Sequence, residues 1–429
     1  EVIIAAKGAP EAILHQINLP IAALKKIEEQ VLLYAKSGYR VLGVGKGSWQ
    51  EHKWPVSQNE FAFEFLGLIV FYDPPKENIQ QTIRTFNDAG IKVKMITGDY
   101  PETAIAIADE IQLNHNLEVV TGKEVLLLSK AELQQRVQQV SIFARMFPEA
   151  KLKVIDALKE NGEVVAMTGD GVNDGPALKA AHIGIAMGKR GSEVAKSAAA
   201  LILIDDDLAH MTDAVALGRK IYDNLKKAIQ YIVSIHIPII LIVTVPLLLA
   251  WTFTDIFSPV HVIFLELIMG PTCSIIYENE PMEPGTMNRP PRKMGATFLS
   301  LKQLAISIVQ GLMITTGCLG IGYYYMQAGS AEEMIRTVIF ITLLCSNIFL
   351  TLVNRSFRYS VFQTIRYKNN LVFIILAFTV LFIAALLYVP FLQDLFRLQS
   401  LTAPLLLTCI AVALVSTCWI ELWKLLRRS

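Results

Sequence analysis

The chain has 429 residues, of which 53% are hydrophobic and only 18% charged, too apolar a balance for an ordinary soluble protein. A formal net charge of +1 gives no electrostatic basis for holding nucleic acid, and the length accommodates about two to three domains. No secretory signal opens the sequence and the first residue is Glu1 rather than Met, so the chain reads as part of a longer protein.

The amino-terminal part is charged and mixed, and the first elements are short. Val2-Ile3-Ile4-Ala5 reads as a strand, about Ile21 to Ser37 as a helix closed by Gly38, and Tyr39 to Gly45 alternates as a strand does. Glu51 to Glu60 is polar, contains Pro55 and reads as a linker. Strand–helix alternation follows. A strand at Phe65 to Tyr72 leads to a helix from Lys76 to Ala89, with Gly90 beyond it, then a strand at Ile91 to Ile96 and a helix from Pro101 to Ile111. Later strands fall near Ser141, Val164, Ile183 and Leu201. Such alternation predicts a parallel sheet covered by helices, an α/β Rossmann-like fold.

Beyond about Lys227 the pattern changes. Six apolar stretches run about Ala228–Ala250, Ile256–Ile276, Gln303–Met326, Met334–Val353, Leu371–Leu392 and Thr402–Trp423, each near the roughly 20 residues that cross a bilayer. Arg289, Arg292 and Lys293 lie in one intervening loop, Arg355, Arg358, Arg366 and Lys368 in another, and Lys424, Arg427 and Arg428 at the tail. The alternate loops hold only Arg336 and Arg397 near their ends. This asymmetry places the basic loops, the tail and the α/β part on the cytoplasmic side. All five cysteines (Cys273, Cys318, Cys345, Cys409, Cys418) lie in the apolar half without a CxxC pair, which suits buried inert thiols rather than a thiolate metal site.

The residues with chemistry cluster at strand ends. Met167 to Leu178 reads MTGDGVNDGPAL and follows the apolar run Val164-Val165-Ala166, the carboxyl end of a buried strand, where open α/β sheets place reacting groups. Asp170 and Asp174 share a Gly-rich turn with Asn173, and hard carboxylate oxygens on a turn suit Mg²⁺ with substrate phosphate. A second turn of the same design, Thr97-Gly98-Asp99, offers a hydroxyl and backbone N–H groups. Together the two turns describe a phosphoryl site. Neither the Walker sequence nor a G-x-G-x-x-G run is present.

The TGDGVND run resembles the hinge motif of P-type ATPases, within the haloacid-dehalogenase-like phosphotransferases. Lys7-Gly8-Ala9-Pro10-Glu11, Asp73-Pro74-Pro75, Thr97-Gly98-Asp99 and Pro148 to Lys153 match further family motifs in the family's order. The resemblance implies an ATP-driven cation pump that phosphorylates an aspartate with Mg²⁺ and ATP. It divides the chain into residues 1–62, the end of an α+β nucleotide-binding domain; 63–225, most of the phosphorylation domain; and 226–429, an all-α domain of six transmembrane helices. It implies that Asp170 holds Mg²⁺, that Asn173 and Asp174 position it (Asp174 indirectly), and that Thr97 and Gly98 donate to phosphate while Asp99 braces the loop. Lys151 neutralises charge on the transferring group. Lys7, Gly8, Arg40, Asp73 and Arg145 fall on the nucleotide side. Asp73-Pro74-Pro75-Lys76 carries Lys where many relatives carry Arg, and Asp205-Asp206-Asp207 reads as a solvated turn and helix start. The phosphorylated Asp of the family's DKTG sequence and the TGES loop are not in this sequence; the expected partner is an upstream half of the same pump, and this chain alone is expected to be inactive.

Ionisable or helix-breaking residues inside a span mark an ion path. The first span carries His236 and Pro238, and the second carries Glu266 with Gly270 and Pro271, where the helix is expected to unwind and free carbonyls. The spans resemble the calcium-pump branch in position but depart at its ligands. His236 and Ile239 stand where that branch has Asn and Glu; Glu266, Met269 and Gly270 stand where it has Asn and a Thr-Asp pair; Leu344 stands near a later Glu. Two calcium sites are therefore excluded, and one site built on Glu266, carbonyls near Gly270 and residues of an upstream span remains, with His236 a further candidate on the ion path. The expected partners are ATP, a transported cation with Ca²⁺ first, and the lipid bilayer, and the expected location is a bacterial plasma membrane with both ends cytoplasmic. Alternatives are a pump for another cation or protons, a phospholipid flippase of the same superfamily, which lipid-stimulated ATPase activity identifies, and a non-catalytic membrane fragment.

Overall fold

The computed structural model describes residues 2–17, 19–49, 54, 55, 57, 60–113, 116 and 118–426, with the backbone alone at 273 and 274. Most of the expected linker, the Cys273 side chain, Arg427 and Arg428 lie outside the described residues. The chain forms two units, Glu1–Ala214 with Met287–Gly295, and Val215–Thr286 with Ala296–Ser429.

The first unit opens with β1 (Val2–Gly8), α1 (Pro10–His15), α2 (Ile21–Lys36), β2 (Arg40–Trp49) and β3 (Phe63–Phe71). The three strands form one antiparallel sheet in the order β1-β2-β3. This corrects the expectation for Phe65 to Tyr72, which does not begin the parallel alternation. The reason lies in the side chains: β2 alternates buried and exposed positions, the pattern of an antiparallel sheet with one face in water.

The parallel part follows. It contains α3 (Ile79–Asp88), β4 (Met95–Ile96), α4 (Pro101–Glu110), β5 (Val119–Thr121), α5 (Gly122–Leu127), α6 (Lys130–Gln139), β6 (Ile142–Ala144), α7 (Pro148–Glu160), β7 (Ala166–Gly169), α8 (Gly175–Ala180), β8 (Ile183–Met187), α9 (Glu193–Ala198) and β9 (Leu201–Leu203). Its strands form two three-stranded parallel sheets, β4-β6-β5 and β7-β8-β9, so β4 and β7 are each an edge. The strand expected from Ile91 shrinks to two paired residues, because Ile91 N–H still closes the preceding helix on the Phe86 carbonyl. All three residues of β6 are fully buried, as a strand covered on both faces requires. Helix α7 packs on both sheets: Ala150, Val154 and Ala157 join the core around β6, and Ile155 joins the core of Val165, Met167 and Ala186.

Six helices among the described residues are long and apolar enough to cross a membrane. They are α10 (Ala209–Leu248), α11 (Pro259–Pro271) with the π-turn Thr272–Tyr277, α12 (Leu301–Gln327), α13 (Glu332–Val353), α15 (Asn370–Tyr388) and α17 (Ala403–Leu426), with the short α14 (Val361–Thr364) and α16 (Pro390–Phe396) between them. The fifth span ends at Tyr388 rather than Leu392. Pro390 disfavours helical backbone at the residue before it, and Val389 is extended at φ −95° and ψ 113°. Helix α13 is the centre of this unit, with 83% of its apolar window buried against 22% for α15.

One buried polar network of this unit gathers around Glu280. Glu280 and Arg355 are fully buried; Arg355 Nε donates to Glu280 Oε1 at 2.8 Å, and Asn369 Nδ2 donates to the same oxygen at 3.0 Å. Asn224 Nδ2 donates to the Glu280 carbonyl at 2.7 Å, and Lys227 Nζ lies 2.9 Å from Glu283 Oε1. Each charge is thereby paired where water is excluded, which a buried ion requires. Removing one partner is far costlier than removing both. Glu280→Leu is expected to lower stability by about 3–5 kcal/mol, and the Glu280→Leu/Arg355→Leu double variant by clearly less, as thermal unfolding of the purified protein in detergent measures.

Candidate functional site

The parallel register sends the carboxyl ends of β4 and β6 in one direction, and the turns that follow them are hydrogen-bonded together. Met146 N–H donates to the Thr97 carbonyl at 2.9 Å and Arg145 N–H to the Asp99 carbonyl at 3.1 Å. Within the first turn, Thr97 Oγ1 donates to Asp99 Oδ2 at 3.0 Å and Asp99 N–H returns to Thr97 Oγ1 at 3.1 Å. Asp99 thus holds the Thr97 hydroxyl in place. Arg40, at the start of β2, reaches this turn with Nε 3.5 Å from Asp99 Oδ1. Arg145 takes the left-handed backbone at φ 52°, donates through Nη2 to Glu11 and stacks its guanidinium 3.8 Å from the centre of the Tyr100 ring. Tyr100 donates its hydroxyl to the other oxygen of Glu11.

The second turn follows β7. Asp174 is buried; it accepts from Lys151 Nζ at 2.6 Å through Oδ1 and from Gly171 N–H at 3.1 Å through Oδ2. Lys151 sits in the first turn of α7, which Pro148 opens. The Gly at 169 is required: a Cβ there would lie 2.6 Å from Asp174 Cβ and 2.8 Å from its Cγ. Asp170 and Asn173 are exposed, and the Asp170 carbonyl accepts from Ser192 N–H at 2.8 Å. The buried carboxylate is therefore committed to Lys151, and the exposed one is available to solvent.

Other expected site residues lie apart from these two turns. Lys7 and Gly8 end β1, where they face Val44 and Gly43 across the sheet. Asp73 is exposed and sits 3.7 Å from Arg190 Nη1. Lys76 Nζ donates to the Asp206 carbonyl at 2.6 Å. Asp206 is not the solvated turn residue expected of it. It is buried, takes φ 61°, and accepts from Lys189 N–H at 2.9 Å and Arg190 N–H at 3.0 Å. Tyr100 and Arg190 carried no signal in sequence, and Glu11 entered only as the end of the Lys7–Glu11 motif, because their partners lie far away along the chain.

In the second unit, His236 on α10 and Glu266 on α11 meet, with Nε2 3.2 Å from Oε1. His236 Nδ1 lies 2.8 Å from the Ile232 carbonyl. Gly270, one turn beyond Glu266, has no atom within 4 Å of where a Cβ would lie.

A sequence profile of haloacid dehalogenase-like hydrolases matches residues 6–182, and one of the cation transporting ATPase carboxyl terminus matches residues 254–426. The chain belongs to the cation-transporting P-type ATPases. It is 32% identical over 402 residues to the Calcium-transporting ATPase 1 of Yarrowia lipolytica, covering 92% of this chain and 42% of that protein. It is 32% identical to the mouse (Mus musculus) Calcium-transporting ATPase type 2C member 2, covering 97% and 45%, and 31% identical to the Calcium-transporting ATPase 1 of Lactococcus lactis, covering 92% and 46%. The chain therefore spans less than half the length of these relatives. As in the family, a parallel-sheet hydrolase region and a helical membrane region occur in one polypeptide.

Two outcomes test this geometry in the P-type chain. Gly169→Ala forces Asp174 away from Gly171 and is expected to cost about 1–3 kcal/mol of stability, read from thermal melts. The Glu11 carboxyl is raised by burial, but bonds from Tyr100 and Arg145 outweigh this and hold it below its ordinary 4.5. A lowered carboxylate pKa stabilises the fold above the ordinary value, and the contribution is lost as pH falls through the lowered one. Melting curves of Glu11→Gln are thus expected to fall below wild type at pH 7 and to converge with it as the pH drops beneath 4.5.

Proposed function

We propose that the chain is the carboxyl-terminal portion of an ATP-driven pump for a divalent cation, working through an aspartyl phosphate formed on an upstream segment. The observation that carries this reading is the Lys151–Asp174 pair at 2.6 Å, set beside exposed Asp170 at the end of an edge strand, in a chain that also carries six membrane-spanning helices. Both edge strands, β4 and β7, end in a turn bearing candidate phosphate contacts, and an added strand between them would bring its own end residue to the same place. That supports an upstream half as the source of the nucleophile.

The donor set fits Mg²⁺: Asp170 offers an exposed hard carboxylate, while Asp174 is held by Lys151 and the Gly171 N–H. Asp170 would hold the ion, with Asp174 and Asn173 fixing the turn around it; when bound, Mg²⁺ supplies charge neutralisation for the phosphates of ATP. Lys151 adds a positive charge whose direction is fixed by its partner before the reaction. Thr97 and Gly98 offer donors to the transferring phosphoryl group, and Arg40, Arg145, Lys7, Gly8 and Asp73 serve the nucleotide side. Because such transfer depends on positioning and electrostatics, each of these fixed contacts carries part of the rate.

The cargo passes through the second unit by way of Glu266 and His236, and the relatives' names make Ca²⁺ the first ion to test. Both chain ends are assigned to the cytoplasmic side of a bacterial plasma membrane, supported by exposed Arg292, Lys293, Arg358, Arg366 and Lys368 and, for the source, by the Lactococcus lactis relative. Arg355 and Lys424 do not contribute to that surface, since both are buried.

The complete protein, given radiolabelled ATP and Mg²⁺, is expected to form an acid-stable, hydroxylamine-sensitive phosphoenzyme. Asp170→Asn and Lys151→Met are expected to reduce its rate of formation by at least about 100-fold, the scale for loss of one fixed electrostatic contact. An unlabelled protein, or variants that label at the wild-type rate, would sink the reading.

A further inference from the structure

We propose that Asp206 is a positioning residue for Mg²⁺, fixing Asp170 through the loop of residues 188–192 that follows β8. The inference rests on the reading of Asp170 as the carboxylate that holds the ion, and adds the residue that holds Asp170 from behind.

Asp170 lies on a glycine-rich turn with its side chain in solvent, so the direction of its carboxylate depends on how firmly the backbone is held. The peptide unit joining Asp170 to Gly171 is held at both ends. Its N–H donates to Asp174 Oδ2 at 3.1 Å, and its carbonyl accepts from Ser192 N–H at 2.8 Å. The first contact lies within the turn itself. The second comes from the loop after the neighbouring strand. Ser192 is fixed in turn, because its hydroxyl accepts from Ala195 N–H at 3.2 Å and caps α9.

Asp206 sets where that loop lies. Its two carboxylate oxygens accept from the consecutive N–H groups of Lys189, at 2.9 Å, and Arg190, at 3.0 Å. Burial works against the charged form, but the N–H groups of Lys189, Arg190 and Gly188 outweigh it and hold the carboxyl below its ordinary 3.8. Both oxygens are therefore acceptors at neutral pH. Gly188 N–H donates to the Leu203 carbonyl at 2.8 Å, and at Gly191 the chain turns so tightly that a Cβ would strike the Met187 carbonyl. The loop is thus pinned at residues 188, 189 and 190 and reaches Asp170 at 192.

The conformation of Asp206 is itself unusual. It takes φ 61°, a left-handed backbone that most residues avoid and that Gly, Asn and Asp tolerate best. Lys76 Nζ donates to its carbonyl at 2.6 Å, which gives the lysine of the Asp73–Lys76 motif a part in the same brace. A strained residue persists only where its surroundings over-determine it, and such residues cluster at functional sites. Groups that hold a metal's ligand without touching the ion commonly carry about 10–100-fold in metal affinity.

The test uses the complete protein in detergent, with Mn²⁺ as a paramagnetic stand-in for Mg²⁺ and the bound ion read by electron paramagnetic resonance without nucleotide. The site is the class of bound Mn²⁺ that Asp170→Asn removes. Asp206→Asn and Asp206→Gly both suit the left-handed backbone and remove the paired acceptors. Each is expected to weaken Mn²⁺ binding at that site at least about tenfold. The Mg²⁺ needed for half-maximal phosphoenzyme formation is expected to rise by the same factor, with the maximal rate recovered at saturating Mg²⁺. Ser192→Pro removes the N–H at a residue whose φ of −66° suits proline, and is expected to weaken Mn²⁺ binding likewise. Ser192→Ala keeps the N–H, loses only the cap on α9, and is expected to bind Mn²⁺ as the wild type does. If Asp206→Asn and Ser192→Pro lower the melting temperature yet bind Mn²⁺ with wild-type affinity, Asp206 is structural only; the inference is overturned and the pump reading stands. If Asp170→Asn removes no bound Mn²⁺, the reading of Asp170 fails and takes the inference with it.

Discussion

The 2.6 Å contact between Lys151 and Asp174 is the interaction on which the first unit's arrangement depends. The parallel strands form two sheets that share no ladder. Helix α7 joins them, burying one set of side chains against β6 and Ile155 against the core of β7. Its first turn carries Lys151 to Asp174, so the packing that unites the sheets also sets the charge at their strand ends. Gly169 is the complementary condition, since any side chain there would occupy the space of Asp174. A stability requirement and a chemical one are met by the same three residues.

The parts of the site legible in sequence are those confined to a single turn. Thr97 and Asp99 bond within two residues of one another, and Gly171 bonds Asp174 three residues on; local spacing carries such contacts. The six spans were equally legible, because twenty apolar residues have few other uses. What did not show was pairing across long stretches of chain. Glu11 with Arg145 and Arg355 with Glu280 bring together residues whose spacing follows no period. The antiparallel placement of β3 escaped for a related reason: an apolar run states that a strand is covered, not which neighbour it pairs with. Asp206 escaped because its neighbours Asp205 and Asp207 disguise a buried cap as a solvated acidic run.

The second unit treats its charges in two ways. The network around Glu280 is closed, with carboxylate, guanidinium and amide partners fixed on four separate segments. The His236–Glu266 pair is open on one side, and only two groups share it. Such a network resists change when neighbouring helices shift, because Glu280 is held from Asn224, Arg355 and Asn369 at once. An open pair answers to whatever approaches it.

Helix α13 carries a buried arginine at each end. Arg336 donates to the carbonyls of Asp255, Ile256 and Arg397, and Arg355, just past the helix end, is bound to Glu280. At 1.5 Å per residue the two lie about 28 Å apart along the axis, close to the roughly 30 Å of bilayer hydrocarbon. The central helix therefore acts as a gauge. Since neither guanidinium can slide without abandoning its partners, this helix cannot shift within the bundle, and mismatch is met by tilt of the bundle or by deformation of the lipid. Membrane thickness is thereby a condition on where the folded bundle is at ease, set by two side chains that never touch the lipid headgroups.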